Sequence, residues 1–397
     1  MHNTKRQELR ASVLAACGAD AAQVEELLAY GEHIFSQSNL NLPLKFPLES
    51  ELHLAAWTQY ATIAHKIGTF EALKQRLVQL QFPIQAGMSQ TEAYRSVTRK
   101  GTLTDHVPEA TGLVLQQPDQ LELVLHPSLA GTIPILVVKQ REDFVSLVQA
   151  LAMRNEPKSV PNSMGACIVS GFNNWDRIRQ YRQQWETANP TACSDHDWAA
   201  EFQRLAPQKA LYQDRFILLS DGFYSAVSAT TMGLSAAEWR RLSLIIRLEH
   251  ECTHYLTYRV LGSMHNHLLD ELIADYQGIV AAIGRYQADW FLRFMGLEAP
   301  TYREGGRLQN YRGQPPLSDG AFNVLGTLVQ AAARNLERFD DQYRSALKQP
   351  QQDALVMLAL TRLSLEELAS DTGDRLLQTV CSELTRALKS NPTLEVG

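Results

Sequence analysis

The residues best suited to chemistry are His250-Glu251-Cys252-Thr253-His254. On a helix each residue turns about 100°. His250 and His254 then lie about 40° apart on one face, and Glu251 flanks it within the same roughly 100° arc. Two imidazoles one turn apart suit one Zn²⁺, and a carboxylate beside them can hold a metal-bound water. Cys252 points about 200° away from His250 and reads as core, not as a ligand. With 11 histidines in 397 residues, chance alone produces this pattern in about two per cent of such chains, so its surroundings must support it.

Two helices must position these groups. Ser235-Ala236-Ala237-Glu238 has the form of a capping box that starts the first. Trp239, Leu242, Ile245, Ile246, Leu248, Leu256 and Val260 give it apolar faces, and Gly262 stops it. A third ligand is then needed. Glu271 is the first candidate, within Asp270-Glu271-Leu272-Ile273-Ala274-Asp275-Tyr276-Gln277-Gly278. This stretch predicts a second helix with acids in its first turn. Asp270, His265 and His267 are next in line as ligands. Asp275 sits one turn beyond Glu271 and is placed to accept the free N–H of a metal-binding imidazole. Ala274 and Gly278 share that face, and small residues there let the two helices approach closely.

At these residues the chain resembles the gluzincin zinc metallopeptidases. The segment Glu271-x-x-Ala274-Asp275-x-x-Gly278 is similar to the E-x-x-A-D-x-x-G helix of the small, M48-like gluzincins. The resemblance covers roughly residues 215–284. It implies that His250, His254 and Glu271 bind zinc, that Glu251 is the base, and that Asp275 orients His250. It also implies a strand and short loop leading into the zinc helix, matched here by Phe216 to Val227. Zincins often present an edge strand beside the metal, and an extended peptide can pair with it. Phe223 to Val227 is the candidate, so Phe223, Tyr224 and Ser225 are the expected substrate-binding residues; a fully paired interior strand is the alternative. Gluzincins commonly add a Tyr, His or Arg after the third ligand to stabilise the oxyanion. No histidine follows His267, which leaves Tyr311 first, then Arg312 and Tyr302. One departure is the short connection, 16 residues between His254 and Glu271.

The remaining sequence sets limits. A chain of this length can bury a large core in two or three subdomains. A net charge of −6 gives no reason to expect nucleic acid as a partner. Five cysteines without zinc-finger spacing fit reduced thiols in a cytoplasmic protein. No signal peptide and no apolar run of about 18 residues is seen, so no membrane association is expected. Residues 1–110 read as a helical region, 111–297 as a zincin-like core, and 298–397 as a loop plus helical region. Strands are predicted at 112–115 and 121–126 as a hairpin, and at 133–138, 166–170, 216–220 and 223–228. Asn174 reads as the cap of a helix from Trp175, and Ser364-Leu365-Glu366-Glu367 as a second capping box.

The expected fold is therefore α+β: a small sheet beside paired metal helices, with helical regions at both ends. The expected function is zinc-dependent hydrolysis of a peptide or protein substrate, with Glu251 moving the proton. The resemblance alone makes the bond a peptide; another amide would be served equally well. A non-catalytic zinc protein that binds or regulates a partner is the rival from a different class. A carboxylate-bridged di-iron site needs a second E-x-x-H helix, and no other segment pairs convincingly with Glu251-x-x-His254.

Overall fold

Among the described residues, apolar runs become strands in only one part of the chain. The computed structural model describes residues 2–32, 35, 44–191, 194–262, 267–343 and 350–389. They form two compact units, 49–222 in one and 1–48 with 223–397 in the other. The fold class is α+β, a four-stranded sheet among many helices. The spatial division falls at 48/49 and 222/223 rather than at 110/111 and 297/298. Local periodicity cannot reveal this, because the first 48 residues join the C-terminal part through long-range contacts. Arg6 and Arg10 of the helix His2–Ala16 pair with Glu367 at 2.6 Å and Glu366 at 2.9 Å. Glu26 accepts hydrogen bonds from the Ser318 amide at 2.6 Å and hydroxyl at 2.7 Å.

The unit 49–222 holds the whole sheet: β1 (Glu122–His126), β2 (Ile133–Val138), β3 (Ala166–Asn173) and β4 (Gln213–Ser220), in spatial order β1-β2-β4-β3. β2 and β4 run parallel, and β1 and β3 flank them antiparallel. The apolar run Ile133–Val138 is buried almost throughout, as a central strand must be. Helix Arg141–Leu151 turns Phe144, Leu147 and Val148 into a core with Leu136, Phe216 and Leu218. The expected hairpin around Gln117-Pro118-Asp119 does not form. β1 pairs with β2 instead, because the Asp143 carboxylate takes the amides of Gln116 and Gln117 at 2.7 and 2.9 Å. That leaves 112–115 as loop. Asn174 caps the helix Trp175–Ala188, accepting from the amides of Asp176 and Arg177. Its amide nitrogen donates to Asp214 at 2.6 Å and Tyr60 at 3.0 Å, so it is committed to the core.

No strand occurs among the described residues of the other unit. Ser235 caps the helix Ala236–Leu261 by accepting from the Glu238 amide, and Gly262 ends it at φ 69°. We refer to it as the histidine helix. The carboxylate helix, Leu268–Ile283, packs against it. The helices come close at Gly278: a Cβ there would stand 2.7 Å from the Ile246 carbonyl oxygen. Only glycine permits that spacing. The helix Asp319–Tyr343 and the reciprocally capped helix Leu365–Ala369 belong to the same unit. No helix among the described residues is long and apolar enough to cross a membrane.

Candidate metal centre

Close packing of the two helices brings His250, His254 and Glu271 together, all buried. The Nε2 atoms of His250 and His254 are 3.1 Å apart. Glu271 Oε2 lies 3.6 Å from His250 Nε2, and Oε1 lies 3.5 Å from His254 Nε2. Zinc ligands about 2.0–2.1 Å from a tetrahedral centre are about 3.3–3.4 Å from one another. Each of the three pairs lies close to that spacing, with Glu271 reaching the two imidazoles through different oxygens.

The outer imidazole nitrogens explain why the inner ones face each other. His250 Nδ1 is 2.8 Å from Asp275 Oδ1, and His254 Nδ1 is 3.3 Å from Asp270 Oδ1. The first contact is a hydrogen bond; the second lacks hydrogen-bond alignment but keeps its charge complementarity. A carboxylate behind each ring holds the proton on Nδ1 and turns the Nε2 lone pair inward. Two lone pairs at 3.1 Å repel unless a proton or a cation lies between them.

Charge points the same way. Asp270 and Asp275 are fully buried and Glu271 nearly so, and one guanidinium, Arg307, accompanies the three carboxylates. With both imidazoles neutral, as metal ligands must be, two negative charges remain, which a dication would neutralise where burial makes imbalance costly. Burial works against protonating His254, yet Asp270 and Glu271 overcome it and hold its pKa well above 6.5. Burial likewise opposes ionising Glu271, but His254, His250 and Arg307 keep it well below the usual carboxylate range. The donor set therefore fits a divalent metal.

Glu251 is half-buried and has no hydrogen-bond or ion-pair partner among the described residues. Cys252 is buried, and burial pushes its thiol well above 9, so it is core. His267 caps the carboxylate helix through Nδ1, which accepts from the Leu269 amide, and stacks on Tyr30; it is not a ligand. Asp270 backs a ligand instead of being one. His265 lies outside the described residues. Among the described residues no second such ligand group occurs.

The expected edge strand at Phe223–Val227 is a correction. Tyr224–Ala226 forms a single 3₁₀ turn, with Ser225 and Ala226 at φ 51° and 55°. The turn interrupts the extended backbone between Phe223 and Val227, so no continuous strand is offered to a peptide there. The cause is Tyr224, whose ring is buried against Phe294 and His250. A buried phenol needs a partner. Its hydroxyl donates to Asp275 Oδ1 at 2.5 Å and lies 3.0 Å from His250 Nδ1. Tyr224 thus supports the metal ligands. Ser225 accepts from Arg307 at 3.1 Å, and Arg240 lies over the Phe223 ring.

Arg307 is the residue that sequence reasoning missed. Its Nη2 donates to Asp275 Oδ2 at 2.6 Å and to Glu271 Oε2 at 3.3 Å. Its Nη1 donates to the Tyr224 hydroxyl at 2.8 Å. Two glycines hold the loop that carries it. A Cβ on Gly306 would stand 2.4 Å from the Met295 carbonyl oxygen and 2.6 Å from Gly296 Cα. The available signal was Gly305-Gly306 directly before an arginine. Of the three oxyanion candidates, Tyr311 alone adjoins the cluster. Burial raises its phenol; Arg307 opposes this and the adjoining Glu271 adds to it. Tyr302 instead donates to the Gly306 carbonyl at 2.7 Å, and Arg312 pairs with Asp319.

Fold and site together define an α+β protein with a buried His–His–Glu centre braced by two aspartates and an arginine. The chain belongs to a family described as a family of unknown function (DUF7005), whose model matches residues 12–372. A search of the curated proteins gave no match, and neither did one of the solved structures.

Proposed function

We propose that this protein is a zinc-dependent hydrolase, a gluzincin-like metallopeptidase acting on a peptide or protein substrate. The observation that carries this reading is the 3.1 Å separation of two inward-facing Nε2 atoms whose Nδ1 atoms are each engaged by a carboxylate. His250, His254 and Glu271 would hold the ion. Zinc with three protein ligands acidifies a water and polarises a carbonyl. Glu251, with no partner of its own, takes the proton of the attacking water and returns it to the departing nitrogen. Asp275 and Asp270 keep the two imidazoles oriented, and Arg307 holds Glu271 and Asp275 in place. Tyr311 donates a hydrogen bond to the oxyanion. The resemblance of residues 215–284 to gluzincins favours a peptide over another amide. An unencumbered Glu251 favours an enzyme over a zinc-containing binding protein, because a purely structural site gains nothing from a base.

Glu251→Gln tests this. Zinc content by elemental analysis is expected to be one ion per chain in both wild type and variant, and hydrolysis of a peptide library to fall by at least about 10²-fold in the variant. Digestion by neither form, with a partner captured equally by both, would favour the binding protein.

A further inference from the structure

The short 3₁₀ helix Arg307–Tyr311 is held at both ends. Its start follows Gly306, whose carbonyl accepts from the Tyr302 hydroxyl at 2.7 Å. Its end is held from far along the chain: the Tyr30 hydroxyl donates to the Tyr311 carbonyl at 2.9 Å, across 281 positions. Tyr30 closes the ten-residue helix Ala21–Tyr30. A helix of that length is marginal alone in water, so its contacts decide where it lies. It grips the same loop again where Glu26 accepts from the Ser318 amide and hydroxyl. It also meets the residue that caps the carboxylate helix. The Tyr30 ring stacks on His267 with centroids 4.7 Å apart, and His267 Nε2 lies 3.2 Å from the Tyr30 carbonyl oxygen. One helix thus touches both segments that meet at Glu271: the cap of its own helix and the turn that bears Arg307. The Arg307 guanidinium is divided among Tyr224, Ser225, Glu271 and Asp275, at 2.6 to 3.3 Å. A planar fork keeps that many bonds only while the backbone behind it stays in place.

We infer that the helix Ala21–Tyr30 is a strap on the metal centre, and that Tyr30 is a positioning residue that acts through Arg307 on Glu271 and Asp275. The inference rests on the metal-binding part of the hydrolase reading and does not need the hydrolysis. With Tyr311 held, Arg307 keeps Asp275 turned to His250 and Glu271 turned to both imidazoles. Loss of the Tyr30 hydroxyl leaves every ligand and the guanidinium charge in the molecule, so its effect on the metal is one of orientation. The strap also accounts for residues 1–48 sharing a compact unit with the site.

The test is a double-mutant cycle between Tyr30→Phe and Arg307→Met in the full chain, read by zinc competition titration and by the visible absorption of the cobalt-substituted protein. Tyr30→Phe keeps the ring and its stack on His267. It is expected to weaken zinc binding about fivefold, roughly the net contribution of one hydrogen bond, and to shift the cobalt bands, which respond to ligand geometry. In the Arg307→Met background the same change is expected to alter zinc affinity by less than about twofold. Glu26→Ala loosens the second grip on the loop and is expected to act in the same direction, again only while Arg307 is present. A role confined to stability would lower the unfolding midpoint in both backgrounds and leave the cobalt spectrum as in wild type; that result overturns the strap. So does a zinc affinity unchanged in both variants, or one that falls equally with and without Arg307. Wild type that holds no zinc overturns this inference and the hydrolase reading together. Zinc-loaded protein that shows the coupling but cleaves nothing supports the strap and overturns the hydrolase reading alone.

Discussion

Arg307 donates to Asp275 Oδ2 at 2.6 Å, while Oδ1 of the same carboxylate stands 2.8 Å from His250 Nδ1. One aspartate thus couples the loop after the helix Ala288–Met295 to a ligand on the histidine helix. Removing it frees His250 to rotate or change tautomer. Asp275→Ala is expected to weaken zinc binding by about 10- to 100-fold without removing a direct ligand. A competition titration measures this, and wild-type affinity would make Asp275 a bystander.

Arg307 compensates charge that a metal would also compensate. Arg307→Met leaves Asp275 and Glu271 buried with less counter-charge. Breaking a buried pair in this way costs about 3–5 kcal/mol. The loss is expected to be largest in metal-free protein and smaller with zinc bound, because the dication takes over part of the compensation. Thermal unfolding of both forms decides it; an equal loss with and without zinc would show that Arg307 and the metal site do not share this charge.

The ligands were legible in the sequence because their relationship is local. His250 and His254 are one turn apart, Ser235 and Gly262 bound their helix, and Gly278 marks where the second helix must come close. What supports the ligands was not legible, because it is assembled across distance. Arg307 meets Asp275 over 32 positions and Tyr224 over 83. Phe223 to Ser228 carries a strand-like pattern, yet burying the Tyr224 phenol on Asp275 outweighs that local preference. The sheet shows the same limit: β2 is recognisable by its apolar run, but its pairing with β1 depends on Asp143 closing a turn far along the chain.

In the unit 49–222, His53 should make stability depend on acid. It is 2 % exposed. Burial lowers its pKa to about 4; Glu51 opposes this, and Arg177 and Arg215 reinforce it. The unfolded imidazole, near 6.5, takes a proton that the folded one refuses. This contribution is therefore complete above pH ~6.5 and is lost as pH falls towards 4, to a total of about 3 kcal/mol. His53→Gln cannot protonate, so urea unfolding of the variant is expected to weaken less than that of wild type between pH 7 and 4.5. Parallel acid dependence in the two proteins would rule out His53 as the source.

Tyr311 is proposed here as the oxyanion donor, and that role can be isolated. Its phenol adjoins Glu271 and stays protonated under burial, so it can donate a directed hydrogen bond at neutral pH. Its backbone is fixed independently, because the Tyr30 hydroxyl donates to its carbonyl. Tyr311→Phe removes the hydroxyl and leaves that anchor in place. A donor that acts only on the developing oxyanion affects kcat and leaves substrate binding alone. Tyr311→Phe is thus expected to lower kcat by about 10²-fold, with KM and zinc content close to wild type. A raised KM at unchanged kcat would instead make Tyr311 a substrate-binding contact and no more. Unchanged kcat and KM would leave the oxyanion to the metal and to groups other than this phenol.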